Sequence, residues 1–184
     1  VGAGGYRVLD VGCGPKPYYP FFAERASEYV GVDIVAHPAA DLVGPVEALP
    51  VEDGSFDLVL CTQVLEHCDD PARAVAELRR VTAPGGRVLA STHGVQVYHP
   101  SPQDYWRWTH AGLRRLFEEN ADWTSVEVSA AAGTASSPSR PGAIRCTPSA
   151  SMKPKRSSGN FSGILFATRS RNASSGMTRV WPNV

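Results

Sequence analysis

The chain of 184 residues carries 18 acidic and 18 basic side chains, so its formal net charge is zero, and 42% of its residues are hydrophobic. This length suits one folded domain with a substantial core and is too short for two large domains. No apolar run approaches the roughly 20 residues that a membrane span needs. No charged segment followed by an apolar stretch marks a signal peptide at the start. The composition therefore argues against a membrane-spanning protein.

The charges are distributed unevenly along the chain. Residues 1–123 contain 17 acidic and 10 basic side chains, a net charge of −7, whereas residues 124–184 contain 1 acidic and 8 basic ones, a net charge of +7. The last 56 residues contain 12 serines and no acidic residue, which is typical of segments without a packed core. The sequence predicts a folded domain over residues 1–130. It favours a basic Ser/Pro/Arg-rich tail over residues 131–184, disordered or translated out of frame, with Phe161–Thr168 as the one stretch that has the pattern of a strand.

The first half of the chain consists of short apolar runs separated by turn residues. Tyr6–Val11 and Tyr29–Asp33 are predicted to be strands, with a helix over Tyr18–Arg25 between them. Asp41–Val43 is expected to form a short third strand, and Phe56–Cys61 a fourth. These runs do not alternate between apolar and polar residues, which is typical of parallel strands buried on both faces.

The second half continues with helix and strand signals in turn. Asp70 and Pro71 are typical of a helix start, and the helix is expected to end before Pro84-Gly85-Gly86. Thr109 is expected to cap a further helix. Ala74, Val75, Leu78 and Val81 share an apolar face of the first helix, and Leu113, Leu116 and Phe117 share one of the second. Arg87–Ser91 and Ser125–Ser129 are predicted to be the fifth and sixth strands. This order predicts an α/β protein with a doubly wound, mostly parallel sheet.

A glycine turn follows the first predicted strand. The chain reads Asp10-Val11-Gly12-Cys13-Gly14, and Asp33 follows at the end of the second strand. Glycines let backbone N–H groups approach a ligand closely, and an acidic residue at the next strand end accepts hydrogen bonds from ribose hydroxyls. A dinucleotide site requires a third glycine where this chain has Pro17, and no Gly-Lys-Ser/Thr phosphate loop is present. The turn predicts a pocket for an adenosine-containing ligand other than a dinucleotide.

Five motifs follow one another in an order found in one large enzyme family. They are Val8–Gly14, Val32-Asp33, Glu47–Asp57, Val64–His67 and Pro84–Gly86. Together they resemble the class I S-adenosylmethionine-dependent methyltransferases, above all the small-molecule type with an L-P-x-x-D-x-S-F-D signature, over about residues 6–120. The resemblance implies a Rossmann-like sheet with S-adenosylmethionine as cofactor. The family adds a final antiparallel strand pair that this sequence mostly lacks, so we expect C-terminal strands that are incomplete or irregular.

The resemblance also assigns roles to single residues. The glycine turn would hold the methionine end of the cofactor, Asp33 would hold the ribose, and the loop before Leu49 would lie against the adenine. The end of the fourth strand would lie beside the sulfonium and the acceptor. The resulting cofactor-binding residues are Asp10, Gly12, Cys13, Gly14, Asp33, Val46, Glu47, Cys61, Thr62 and Gln63. Many members have an acidic residue near position 45 for the adenine amino group, where this chain has Pro45.

Two histidines are candidates for a catalytic base. Methyl transfer is a direct displacement that depends mainly on alignment of the reacting atoms, and a base is needed only for a hydroxyl or a protonated amine. His93, just beyond the fifth strand, is the first candidate, and His67 is the second. The potential ligands Cys61, His67 and Cys68 lack a fourth partner at zinc spacing, so no metal site is expected. The aromatic run in Asp104–Trp108 forms either the wall or lid of an acceptor pocket or a packing contact with the sheet.

The sequence leaves more than one function open. The first hypothesis is a methyltransferase acting on a small-molecule, lipid or saccharide acceptor. The alternative is a catalytically impaired or non-catalytic remnant of a truncated or frame-disrupted gene. Nucleic acid is a disfavoured partner, because the basic residues of the tail are scattered and no Asn/Asp-Pro-Pro-Tyr motif follows the fourth strand. The four cysteines lack paired spacing, which favours a cytoplasmic location. The sequence does not determine the oligomeric state.

Overall fold

Seven strands form one sheet in the computed structural model, which describes residues 5–98, 100–130 and 161–168. In chain order they are β1 Tyr6–Val11, β2 Ala26–Asp33, β3 Leu42–Val43, β4 Phe56–Thr62, β5 Thr82–Val95, β6 Ser125–Ala130 and β7 Phe161–Thr168. Their order across the sheet is β3-β2-β1-β4-β5-β7-β6. The first five strands pair in parallel, and β7 pairs antiparallel with both β5 and β6. The predicted Rossmann-like, mostly parallel α/β sheet is confirmed.

Three helices and one short turn connect these strands. The helices are α1 Tyr19–Phe22, α2 Pro71–Val81 and α3 His110–Asn120, and a single 3₁₀ turn spans Leu65–His67. Both longer helices begin where predicted, because Asp70 Oδ1 accepts a hydrogen bond from the Arg73 N–H at 3.1 Å and Thr109 Oγ1 accepts one from the Gly112 N–H at 3.1 Å. Within the described residues, no helix combines the length and apolar character needed to cross a membrane.

The first helix is shorter than predicted. A helix over Tyr18–Arg25 was expected, but α1 is a single turn, and β2 already begins at Ala26. The early start of β2 follows from its pairing with β1, in which Arg7 lies opposite Glu28 and its Nε donates to the Glu28 carboxylate at 2.6 Å. A four-residue helix has little stability of its own, so strand pairing decides where the helix ends.

The fifth strand is longer than predicted. Helix α2 ends at Val81, and β5 runs from Thr82 through the Pro84-Gly85-Gly86 segment to Val95. Gly85 has a φ of +81°, and a Cβ at Gly86 would lie 2.9 Å from the Asp57 carbonyl oxygen of β4. The two glycines therefore allow β5 to lie close to β4, in addition to following the end of the helix.

Strand β7 comes from the part of the sequence that was assigned to a basic tail. Phe161–Thr168, the one stretch there with a strand pattern, pairs antiparallel with β5 and with β6, and Ala167 is fully buried. It covers the edge of β5, which would otherwise expose unpaired backbone groups. The other residues of that predicted tail, 131–160 and 169–184, lie outside the described residues.

The core lies around the central strands β1, β4 and β5. Leu9, Val59 and Val88 of these strands are fully buried, as are Leu78 of α2 and Phe117 of α3. Because β1, β2 and β4 run parallel, their carboxyl ends lie at one edge of the sheet. In open α/β sheets this edge is where ligands bind, and the predicted site residues fall there.

Candidate functional site

The glycine turn after β1 has the backbone geometry that the sequence predicted. Gly12 has a φ of +67° and Gly14 a φ of +47°, a conformation that other residues rarely adopt. The N–H groups of Gly12 and Cys13 both donate to the Val32 carbonyl of β2, at 2.8 and 3.1 Å. A Cβ at Gly12 would lie only 2.3 Å from Cγ2 of Val64. Both the conformation and the close approach of the loop after β4 therefore require glycine at position 12.

Asp33, at the end of β2, is hydrogen bonded to this turn. Its Oδ2 accepts from the Gly14 N–H at 3.0 Å and lies 3.3 Å from Nε2 of His37, and its Oδ1 accepts from the Val35 N–H at 3.3 Å. Burial raises the pKa of Asp33, but the hydrogen bonds from Gly14 and His37 outweigh it, so that the pKa lies below its usual 3.8. Asp33 is thus an ionised acceptor fixed beside the glycine turn at neutral pH.

Asp10, in β1, is a second carboxylate next to the turn. It is 1% exposed, and its Oδ2 accepts a hydrogen bond from the Tyr29 hydroxyl at 2.5 Å. Its Oδ1 is buried and has no hydrogen-bond partner among the described residues. Burial raises the pKa of Asp10 to about 6, although the Tyr29 hydrogen bond opposes the shift. The structure therefore keeps a carboxylate with unused accepting capacity at the end of β1.

A cleft of about 730 Å³ opens at this edge of the sheet. Of the residues predicted from the sequence, Gly12, Asp33, Val46, Glu47, Gln63 and His67 line it. The other predicted residues, Asp10, Cys13, Gly14, Cys61, Thr62 and His93, are not part of its lining. Cys61 is fully buried in the core, where burial raises its thiol pKa well above the usual range. Cys61 therefore presents no exposed atom to a ligand in the cleft.

Glu47 has a structural role that the sequence did not reveal. Its Oε1 accepts hydrogen bonds from the N–H groups of Asp69 and Asp70 at 2.8 and 3.3 Å, just before α2. Its carbonyl oxygen also accepts from Nε of Arg73 at 3.0 Å. The adjacent Val46 is 6% exposed. Glu47 therefore joins the loop before β4 to the start of α2 along one side of the cleft.

Gln63, directly after β4, has a strained backbone. Its φ is +57°, which places a residue with a side chain in the left-handed region. The conformation is held by the next strand, since the Gln63 N–H donates to the Ser91 carbonyl at 2.8 Å and its Nε2 donates to the Ser91 hydroxyl at 3.1 Å. Strained residues of this kind cluster at ligand sites, and Gln63 lines the cleft.

The two candidate bases have different environments. His67 lines the cleft, and its Nδ1 lies 2.8 Å from the Gln103 carbonyl oxygen. A carbonyl only accepts, so Nδ1 carries the proton and Nε2 is the basic nitrogen of the neutral ring. His93 is 7% exposed, and its Nδ1 lies 3.2 Å from Oε1 of the buried Glu66. The geometry thus favours His67 over His93, the reverse of the order predicted from the sequence, and a catalytic role for either remains a prediction.

The segment after β5 contributes residues that the sequence did not single out. Pro102 and Gln103 line the cleft together with Tyr105. Trp106 and Trp108 stack with ring centroids 6.1 Å apart, and Trp108 packs against the core. Tyr105 therefore lines the cleft, and Trp108 attaches the segment to the sheet. That this wall faces an acceptor stays a prediction. The aromatic run was the available signal, whereas nothing marked Pro102 or Gln103.

One group of potential metal ligands is found among the described residues. Donor atoms of Cys13, Asp33 and His37 lie within 4.8 Å of one another. Asp33 and His37 already pair at 3.3 Å. Burial raises the pKa of the Cys13 thiol to about 11, so it is protonated at neutral pH, whereas a thiolate is the form that binds metals. The chemistry of this group does not favour a metal site.

Solved S-adenosylmethionine-dependent methyltransferases share the fold of this sheet and its helices. Residues 9–90 match the protein family described as "Methyltransferase domain".

Curated relatives match the same half of the chain. An uncharacterized methyltransferase of Mycobacterium sp. (strain JLS) is 44% identical over 98 residues, which is 48% of this chain and 39% of the relative. The malonyl-[acyl-carrier protein] O-methyltransferase of Erwinia billingiae (strain Eb661) is 36% identical over 105 residues, 52% of this chain and 42% of that one. The ubiquinone biosynthesis O-methyltransferase of Acinetobacter baumannii (strain AYE) is 34% identical over 109 residues, and the match covers 50% of this chain and 45% of the relative. The chain thus spans about two fifths of the length of these relatives.

Solved structures share the fold over most of the chain. The 1,6-didemethyltoxoflavin-N1-methyltransferase of Burkholderia thailandensis, solved with 1,6-didemethyltoxoflavin and S-adenosylhomocysteine, has a TM-score of 0.66 at 18% identity, covering 91% of this chain and 72% of that one. A SAM-dependent methyltransferase from Methanosarcina mazei has a TM-score of 0.58 at 14% identity, covering 90% and 93%. At this level of identity the likeness establishes the fold alone.

Proposed function

We propose that the domain binds S-adenosylmethionine in the cleft and transfers its methyl group to a small-molecule, lipid or saccharide acceptor. The observation that supports this most is the pairing of Asp33 with the Gly14 N–H at 3.0 Å, on the rim of a 730 Å³ cleft. An ionised acceptor beside exposed glycine backbone suits a ribose with its two hydroxyls. The absence of a third glycine, at Pro17, disfavours a dinucleotide in the same place.

The cofactor supplies an already activated methyl group, so the residues of the chain mainly bind and orient. Asp33 accepts from the ribose hydroxyls, and the glycine turn with Asp10 holds the methionine end. Val46 and Glu47 border the adenine. Thr62 and Gln63 complete the proposed cofactor site, with Cys61 and Cys13 as their buried neighbours. Holding the reacting atoms in line lowers the activation free energy of such a reaction by at most about 7–11 kcal/mol.

A hydroxyl acceptor would require a base, and His67 is the better placed of the two histidines. Two relatives are named as O-methyltransferases, which supports an oxygen acceptor here. The cofactor would supply a methyl group bonded to positively charged sulfur, and Nε2 of His67 would take up the proton that the acceptor hydroxyl loses. His93, which is buried against Glu66, would act through its neighbours rather than by contact with the acceptor.

The test is calorimetric titration of the 184-residue chain with S-adenosylmethionine and with S-adenosylhomocysteine. Asp33→Ala removes the proposed ribose acceptor and is expected to weaken both affinities at least about tenfold, the cost of losing charge-assisted hydrogen bonds. Asp122→Ala, at an exposed aspartate after α3, is the matched control and should bind as the parent chain does. Absence of saturable binding by a folded chain would refute the proposal, as would equal affinity of the two variants.

A further inference from the structure

Glu66 is a buried acidic residue in the turn that follows β4. It is 0% exposed, its Oε2 accepts a hydrogen bond from the Thr92 hydroxyl at 2.9 Å, and its Oε1 lies 3.2 Å from Nδ1 of His93. A buried carboxylate destabilises a fold unless it is hydrogen bonded or paired. Both partners come from the end of β5, so the carboxylate joins the ends of β4 and β5 beside the cleft.

The backbone around Glu66 also holds the segment that lines the far side of the cleft. The Glu66 carbonyl oxygen accepts hydrogen bonds from the N–H groups of both Tyr105 and Trp106, at 2.8 and 3.2 Å. The next two residues add a contact each, as His67 Nδ1 donates to the Gln103 carbonyl and Trp106 Nε1 donates to the Cys68 carbonyl, both at 2.8 Å. Three consecutive residues after β4 therefore bind one segment more than 35 residues further along the chain.

That segment, residues 102–107, has an ion pair of its own. Asp104 is 7% exposed and pairs with the guanidinium of Arg107 through two hydrogen bonds. The Asp104 hydrogen bonds raise the pKa of Arg107, and the negative charge of Glu66 adds to the effect. The Glu66 carbonyl oxygen thus binds the segment, and the Glu66 carboxylate fixes the position of that carbonyl through its contacts with the end of β5.

We propose that Glu66 is a positioning residue, which holds residues 102–107 against the end of β4 and thereby fixes the acceptor-facing wall of the cleft. Pro102, Gln103 and Tyr105 form that wall, and Asp33 belongs to the cofactor end. The assignment of the wall to the acceptor rests on the proposed function. Loss of the carboxylate should loosen this wall and leave the cofactor end unchanged.

The experiment is hydrogen–deuterium exchange of the 184-residue chain, read at the amides of Tyr105 and Trp106. Glu66→Gln keeps the size of the side chain and can still accept from Thr92, but it replaces the carboxylate oxygen that faces His93. We expect these two amides to exchange about tenfold faster, as for loss of a hydrogen-bonded charge. S-adenosylhomocysteine affinity should change less than about twofold.

The controls separate a local effect from general loosening. Glu118→Gln removes a half-exposed carboxylate of α3 and should alter none of these values. The amide of Gly14, which donates to Asp33, serves as the internal reference. If Glu66→Gln does not fold, Thr92→Val removes one donor to the carboxylate and should speed exchange of the same two amides to a smaller extent.

Unchanged exchange at Tyr105 and Trp106 in the folded variants would overturn the proposal, and so would an equal acceleration at Gly14, since this marks a general structural effect. Failure of the parent chain to bind S-adenosylhomocysteine would instead refute the proposed function. The exchange result would then still decide whether Glu66 holds the segment. The two failures are therefore distinguishable.

Discussion

Replacing Asp10 by asparagine should stabilise the unliganded protein at neutral pH. Asp10 is 1% exposed, and burial raises its pKa from the usual 3.8 to about 6. At about 1.36 kcal/mol per pKa unit, this difference lowers the free energy of unfolding by about 3 kcal/mol once both states are ionised. Asparagine carries no charge and can still accept from the Tyr29 hydroxyl, so the variant should avoid this cost.

The pH dependence fixes the sign of the effect. Because the pKa of Asp10 is higher in the folded state, the folded protein binds more protons than the unfolded chain between about pH 4 and 6, so this residue reduces stability as pH rises through that window. Below about pH 3 the carboxyl group is protonated in both states and resembles an amide. The stability gain of Asp10→Asn should therefore be near zero below about pH 3 and approach about 3 kcal/mol above about pH 7.

The assay is urea unfolding followed by circular dichroism at several pH values, for the parent chain and the variant. Asp122→Asn, at an exposed aspartate, is the matched control and should give a flat difference. Tyr29→Phe removes the hydrogen bond that opposes the shift, so it should raise the pKa of Asp10 further. A stability difference for Asp10→Asn that is independent of pH would refute the reasoning. Asp10→Asn should also bind S-adenosylmethionine more weakly, since the protein keeps the Asp10 carboxylate at the site although it lowers stability.

Three further predictions concern other contacts. Gly12→Ala and Gly14→Ala both force alanine into the left-handed region. Only the Cβ at position 12 also lies close to another side chain, 2.3 Å from Cγ2 of Val64. In urea unfolding, Gly12→Ala should therefore be less stable than Gly14→Ala by about 1 kcal/mol or more. Glu77→Gln should cost about 1–2 kcal/mol at pH 7, because hydrogen bonds from Arg80 hold the pKa of Glu77 below its usual 4.5. This loss should diminish as the pH falls below 4.5 and the carboxylate becomes protonated, which a pH titration of stability checks. Thr109→Ala should lower thermal stability by about 1 kcal/mol through loss of the cap of α3.

Much of the geometry around the glycine turn was predictable from the sequence. The glycine turn and Asp33 lie in consecutive parallel strands, and a right-handed crossover places the ends of such strands side by side. Their hydrogen bond at 3.0 Å is the expected result. The starts of α2 and α3 were equally predictable, since a capping side chain acts within three residues of its own position.

The extent of some elements was not predictable, because partners distant in sequence decide it. The short α1 and the early start of β2 follow from pairing with β1. Phe161–Thr168 had only a weak strand pattern of its own, and it forms β7 because β5 and β6 offer backbone partners on both sides. Strand propensity depends on such neighbours more than on the segment itself.

The sequence by itself determined the type of sheet, the glycine turn and the acidic residue that meets it, because these depend on local patterns and on the fixed handedness of parallel crossovers. Only the tertiary structure decided that His67 rather than His93 lines the cleft, that Glu47 binds the start of α2, and that Glu66 holds the segment after β5. The contacts of Glu47 and Glu66 join residues 22 to 40 positions apart in the sequence. Side-chain direction at such contacts depends on packing between elements, which no local pattern encodes.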